Sequence, residues 1–283
     1  MGQSLTRRRG ARWSCARKSA LAAAGVAAVL LTAALLWRAA HPLEDAAWAR
    51  IQADGRILIA TDASYEPFSA VDANGDLFGF DVDLADAIAR RWGVTAVFEN
   101  ITYDALLGTL IVGRDDAVIS AFVAQPERTR EVSYTAPYFT GGTVIVIRRA
   151  GGPALTGAPE AWAAGKTLAV EYGAGGDALA RQWARRAAGV TVQPLATAGE
   201  ALAAVSAGTA DAAVVDAIAA YRYLADQPEL MPTGPVLEPQ PYVIAVSVDS
   251  PVLLEQLEVA LAALEADGSL GGLRAKWLGE AAR

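Results

Sequence analysis

Two residue types that carry much of enzyme chemistry are nearly missing. The 283-residue chain has one cysteine, Cys15, and one histidine, His41, and both precede the part with globular patterning. Cys/His zinc sites, disulfide frameworks, Ser-His-Asp triads and Cys-His nucleophile pairs are therefore excluded from the body. Charge is scarce as well, at 19% against 53% hydrophobic residues. With no low-complexity tracts, that composition excludes disorder as the dominant state and supplies a core for one large or two small domains. Cations are unevenly spread. Arg7, Arg8, Arg9, Arg12, Arg17 and Lys18 give residues 1–19 six positive charges and no acid; the whole chain is −7, so the remainder sums to −13. A body that acidic is a poor partner for nucleic acid, whose phosphates demand clustered Lys and Arg.

Behind the basic block lie 19 uncharged residues, SALAAAGVAAVLLTAALLW, between Lys18 and Arg38. A basic stretch followed by an apolar one is the layout of a signal peptide or a signal anchor. As helix, the run just spans about 30 Å of hydrocarbon. Its length exceeds the usual 7–15-residue signal core, and Arg38 spoils the small-residue spacing before Ala40, while Ala47-Trp48-Ala49 fits a cleavage site but lies far downstream. These features favour an uncleaved anchor within a segment 1–50, with cleavage left open. The positive-inside rule keeps the arginines in the cytoplasm and sends the body outside. Cys15 lies on the wrong side of the run for lipid attachment.

From Arg56 onward, short β-rich runs alternate with helical ones. Strands are expected at 57–61, 95–98, 117–120, 143–147, 167–170, 190–192 and 212–215. Helices are expected from Val82 to Trp92, from Asp104 to Val112, and near 177–187, 199–207 and 217–225. Such alternation implies an α/β fold with mostly parallel sheets. One internal echo points to two similar lobes. Ala105-Leu106, Gly113 and Asp116-Ala117-Val118-Ile119 match Ala201-Leu202, Gly208 and Asp211-Ala212-Ala213-Val214. Open parallel sheets bind ligands beyond the carboxyl ends of their strands. That directs attention to 62–65, 120–128, 171–176 and Asp216, where polar, aromatic and glycine residues concentrate.

Three segments make these loops more specific: ATDASYEPFSAVDANGDLFGFDVDLADAIARRWG (60–93), QPERTREVSYTAPYFTGG (125–142) and LEADGSLGGLRAKWLG (264–279). Together they resemble the bacterial extracytoplasmic solute-binding proteins of polar amino-acid uptake, the type 3 family of ABC importers, over roughly residues 55–279. The resemblance implies a two-lobed periplasmic-binding-protein-like fold of type II, with two mostly parallel sheets flanked by helices. Crossings are expected near Gly141–Val146 and Tyr242–Val246. Lobe 1 would comprise 55–143 plus 244–283, and lobe 2 would comprise 144–243. It further implies a monomer that takes a polar amino acid without catalysis, cofactor or metal and delivers it to an ABC permease and its ATPase. The membrane would be reached through the N-terminal helix, and the body would be extracytoplasmic.

Matched residue by residue, the resemblance assigns ligand roles. Arg128 would grip the carboxylate, since a guanidinium holds two oxygens in parallel. Asp216 would take the ammonium from the opposite lobe, or cap the helix after it, or both. Tyr65 and Tyr103 would sandwich the side chain, ordinary core packing being the bland alternative. Ser120, Ala121 and Val123 would form the cradle, and Gly173 and Gly175 would offer backbone N–H groups. Asp62, Asp81 and Glu171 would line the distal pocket and favour a cationic side chain; against that, Asp62 and Asp81 also occur in relatives that bind neutral ligands, and the alternative for Asp81 is to lead the helix at 82. The chain departs from the family at the cradle, where Ala121, Val123 and Gln125 replace a glycine and two hydroxyl residues and Ala174 replaces a third hydroxyl. At about 0.5–1.5 kcal/mol per lost hydrogen bond, altered preference follows, not loss of the site. Alternative functions are an enzyme on the same scaffold, similar to the cyclohexadienyl or arogenate dehydratases with Glu171 as general acid, and an anchored sensor ectodomain.

Overall fold

A computed structural model describes residues 45–151 and 159–282. The basic block and the apolar run of the expected anchor lie outside the described residues. Among those described, no helix is long and apolar enough to cross a membrane.

The chain opens with α1 (Ala46–Asp54), whose N-cap Asp45 accepts from Trp48 N. The other Asp45 oxygen accepts from Leu253 N at 2.8 Å, so one carboxylate pins the starts of two helices. Next come β1 (Arg56–Thr61), a small antiparallel sheet of β2 (Ser64–Tyr65), β3 (Ser69–Val71) and β4 (Leu77–Phe78), then α2 (Phe80–Trp92) and β5 (Thr95–Asn100). A short 3₁₀ turn leads into α3 (Leu106–Ile111), followed by β6 (Ala117–Val118) and β7 (Val132–Tyr134). The second half carries β8 (Phe139–Arg148), α4 (Pro159–Ala163), β9 (Thr167–Glu171), α5 (Gly175–Ala184), β10 (Thr191–Leu195) and α6 (Ala198–Ser206). It continues with β11 (Ala212–Asp216), α7 (Ala217–Leu224) and β12 (Leu230–Tyr242). The chain then returns through β13 (Ala245–Ser247), α8 (Pro251–Ala266) and α9 (Ser269–Leu278).

Two five-stranded sheets organise these elements, in the orders β5-β1-β6-β13-β7 and β10-β9-β11-β8-β12. This is the two-lobed, type II architecture. The sheets are mostly parallel with one reversal each: four strands run one way, and β13 in the first sheet and β8 in the second run against them. The cause is the crossing. A strand entering from the other lobe starts at the hinge end, where the parallel strands finish, and must run against them. The connections between sheets fall at 135–138 and 243–244, so the first lies upstream of the expected Gly141–Val146, which is interior to β8.

Pleat alternation divides the core. Ile57 and Ile59 face α2, α8 and α9, while Ala60, Val118 and Ala245 face α3. In the second sheet Val144, Val146, Ala213 and Val215 meet α6 and α7. Ile145, Leu168, Val170 and Val214 meet the opposite layer with Trp162 and Trp183. Strands buried on both faces explain the continuous apolar runs, and each fully buried Ile or Leu contributes about 1.5–3 kcal/mol. The echo is structural. Asp116 Oδ2 accepts from Leu58 N at 2.9 Å and Asp211 Oδ2 accepts from Thr167 N at 2.8 Å, each reaching the parallel strand beside its own, β1 or β9. A cation attends each acid, Arg50 on Asp116 and Lys166 on Asp211.

Candidate functional site

The motif around Gly79 builds one wall of a cleft. Gly79 has φ +138°, and a Cβ there would lie 2.1 Å from the Phe68 carbonyl oxygen, so only glycine admits the loop 65–68 this close. Phe80 N and Asp81 N then donate to the carbonyls of Pro67 and Phe68, each at 2.9 Å. The docked Phe68 is fully buried; it stacks on Tyr65 at 5.6 Å and meets Tyr242 edge-on at 5.2 Å. Behind the other wall, Phe122 stacks on Tyr103 at 5.3 Å.

Between these walls lies a cavity of about 330 Å³, lined by Asp62, Ser64, Tyr65, Tyr103, Ser120, Ala121, Val123, Gln240 and Tyr242. That volume is typical of small-molecule sites, roughly 300–1,000 Å³. Six of the twelve expected residues meet here: Asp62, Tyr65, Tyr103, Ser120, Ala121 and Val123. Tyr65 is 44% exposed and Tyr103 38%, so neither is core packing. Hydrogen bonds tie the walls together. Asp62 N donates to Ser120 Oγ at 2.9 Å, Asp62 Oδ2 accepts from Tyr103 N at 2.7 Å, and Asp62 Oδ1 accepts from Ser64 N at 3.0 Å. Tyr65 and Tyr242 hydroxyls meet at 3.4 Å. Both phenols are pushed up, first by burial and further by the charge of Asp216.

The other six do not line the cavity. Asp81 is 1% exposed beneath the floor, where Oδ2 accepts from Ala121 N at 2.6 Å and Oδ1 from the Tyr138 hydroxyl at 2.8 Å. Its place is under the wall, not in the distal pocket, because α2 begins one residue earlier and turns the side chain inward. Burial, against these two bonds, raises its pKa to about 7. Arg128 closes a 3₁₀ turn and pairs with Glu131 at 3.2 Å, its side chain 41% exposed. Glu171 ends β9 outside the cavity lining. Gly173 N, expected to be free, donates to Asp177 Oδ2 at 3.1 Å, because α5 starts at Gly175, two residues before the expected helix. Gly175 faces Thr143 and Glu238. Asp216 caps α7, its Oδ1 accepting from Ile218 N and Ala219 N at 2.9 Å each.

Although 62–65 and the crossing Tyr242–Val246 are singled out in the sequence, no ligand role is expected there of Ser64, Gln240 or Tyr242. The last two end β12, an edge strand whose Pro232, Pro235, Pro239 and Pro241 mask the strand signal; edge position is where a sheet tolerates proline. The signal available was topological, since a segment crossing between lobes must pass the cleft floor.

Comparisons with known proteins agree with this fold. Residues 57–280 match the family described as bacterial extracellular solute-binding proteins, family 3. The chain is 30% identical over 227 residues to ABC transporter arginine-binding protein 1 of Escherichia coli (strain K12), covering 78% of this chain and 90% of that one. It is 26% identical over 231 residues to the L-cystine-binding protein TcyJ of the same strain, covering 81% and 85%. Among solved structures, an ancestral cationic amino acid solute-binding protein superposes with a TM-score of 0.60 at 28% identity, covering 81% of this chain and 98% of that one.

Proposed function

The chain belongs to family 3 of the bacterial extracellular solute-binding proteins, and on that premise we propose that it captures a polar amino acid, foremost a basic one, between its lobes for an ABC importer. The observation that carries this reading is the cavity where Asp62, Tyr65, Tyr103 and Ser120 converge. Two half-exposed rings offer flat faces to a side chain, and the acid among them has no base in the lining. A relative named for arginine and another named for cystine support a free amino acid as ligand.

Arg128 and Asp216 supply the charges for a zwitterion. The Arg128–Glu131 pair is half-exposed, so giving it up for a ligand carboxylate costs little, about 0–1 kcal/mol. Asp216 spends Oδ1 on its helix, and no hydrogen bond holds Oδ2 among the described residues. An ammonium bridging that oxygen to lobe 1 would favour the closed form. Glu171, Gly173 and Gly175 would join the site from lobe 2, within a division at 55–143 plus 244–283 and 144–243. Delivery to a permease with its ATPase, a monomeric state and anchoring through the apolar run 19–37 complete the proposal, with capture involving no covalent step.

Isothermal titration of the purified protein against the common amino acids tests it. Heat from arginine, lysine or ornithine, and little from acidic or small apolar ones, is the expected result. Silence across the panel removes the amino-acid assignment.

A further inference from the structure

Ala121 has φ +44° although it carries a Cβ, and it stands in the cavity wall. That left-handed conformation is disfavoured for alanine and persists only where surroundings impose it. The surroundings here are two side chains. The buried Ala121 N–H lies 2.6 Å from Asp81 Oδ2 and 3.1 Å from the Tyr138 hydroxyl, which itself donates to Asp81 Oδ1 at 2.8 Å. Tyr138 is held by stacking on Phe80 at 5.9 Å, and Arg274 donates to its carbonyl at 2.9 Å. The neighbours of Ala121 reach both walls, since Ser120 Oγ accepts from Asp62 N and Val123 N lies 3.4 Å from the Tyr103 hydroxyl. Rotating the peptide ahead of Ala121 would shift both contacts.

We infer that Asp81 is a positioning residue, which with Tyr138 holds the Ala121 amide from beneath and so sets ligand affinity without touching the ligand. This rests on the amino-acid reading of the cavity above. It also reassigns Asp81 from reading a cationic side chain to shaping the cavity wall at Ala121.

The hold depends on charge. Ionised Asp81 accepts from both partners; once protonated it keeps one good acceptor, and the Tyr138 bond must reverse direction. Burial has moved its titration to about 7. The groups facing it are the phenols Tyr65, Tyr138 and Tyr242, all raised by burial and so neutral below pH 9. The chain's one histidine, His41, lies ahead of the described residues, and L-arginine keeps its charge between pH 6 and 8. Affinity should therefore fall as pH drops through 7.

The experiment measures L-arginine Kd by calorimetry at pH 8, 7 and 6, and follows the Ala121 amide by NMR over the same range. The wild type should weaken roughly three- to tenfold from pH 8 to 6, with the Ala121 resonance moving in step. Asp81→Asn should bind roughly ten- to hundredfold more weakly at pH 8, the worth of one charge-assisted hydrogen bond, and lose the pH slope. Tyr138→Phe strips a donor from the buried carboxylate and should move the midpoint of the slope to higher pH. A purely structural role would lower melting temperature and leave that midpoint in place. An Ala121 resonance that does not titrate, or a flat Kd profile in the wild type, overturns the inference even where no variant folds. If no amino acid binds while Ala121 still titrates, the binding role falls with the functional reading and the hold on Ala121 survives.

Discussion

The two lobes bring unequal halves to the cleft. The first presents a pocket already assembled, with Asp62 hydrogen-bonded to Ser120 and Tyr103, Ala121 held from beneath by Asp81, and Phe68 and Phe122 behind. The residues expected from the second lobe stand apart at the ends of β9, α5 and β11 and do not line that pocket, which takes only Gln240 and Tyr242 from β12. Pre-organisation lowers the ordering cost of binding, so the first lobe is the one able to hold a side chain alone. The charge proposed for the second lobe, Asp216, is already fixed by its helix. On the proposed reading the first lobe would select and the second would close, and a ligand shifts the equilibrium only by what it gains from the second contact.

The largest break in that comparison should come from Arg128→Ala. Removing the carboxylate's partner leaves a ligand charge unpaired in the cleft, and a loss of about 3 kcal/mol or more, over roughly 100-fold in Kd, is expected by titration. The unliganded protein should melt within a few degrees of wild type, because the residue gives up only a half-exposed pair with Glu131. A folding collapse would instead make Arg128 structural. Asp216 comes next, and two substitutions separate its two jobs. Asp216→Asn keeps a good cap and loses the charge, so Kd should weaken by about 2 kcal/mol, roughly 30-fold, with melting nearly unchanged. Asp216→Ala should lose the cap too, lowering stability by about a further 1 kcal/mol. If both variants bind like wild type, the second lobe does not close on an ammonium.

Why the halves differ in legibility follows from the same contrast. The first lobe's pocket follows strand ends directly, so Asp62, Tyr65 and Ser120 could be placed from position after β1 and β6. The repeated Asp-led strand was visible because each aspartate does one local job, bonding the neighbouring strand's N–H. What stayed hidden depends on contacts remote in sequence. Nothing near Asp81 announces Tyr138 or Ala121, 57 and 40 residues away, so an acid in a pocket-like motif read as a ligand group when it is buried beneath one. Gly173 misled through local register: helix α5 starts two residues early, letting Asp177 reach back for the amide. β12 was obscured by its prolines, which an edge strand accepts and a propensity reading rejects.

The smallest expected effect sharpens the division most finely. Thr197 and Asp216 cap α6 and α7 with their side chains, whereas α5 begins behind Ala174, which has extended cap geometry, φ −79° and ψ 172°, and no side chain to accept a bond. Ala174→Ser supplies that acceptor without altering the backbone, since serine favours the same conformation. A gain of about 1 kcal/mol follows, which for a body of this size raises the melting temperature by roughly 2–4 °C. The cap uses the hydroxyl oxygen as acceptor and leaves the O–H to donate elsewhere, so Kd should change by less than about twofold where that proton meets solvent. A gain of several-fold in affinity, matching one hydrogen bond of about 0.5–1.5 kcal/mol, would mean that the new hydroxyl itself bonds the ligand, beyond the backbone N–H groups proposed for Gly173 and Gly175. The second lobe would then select as well as close.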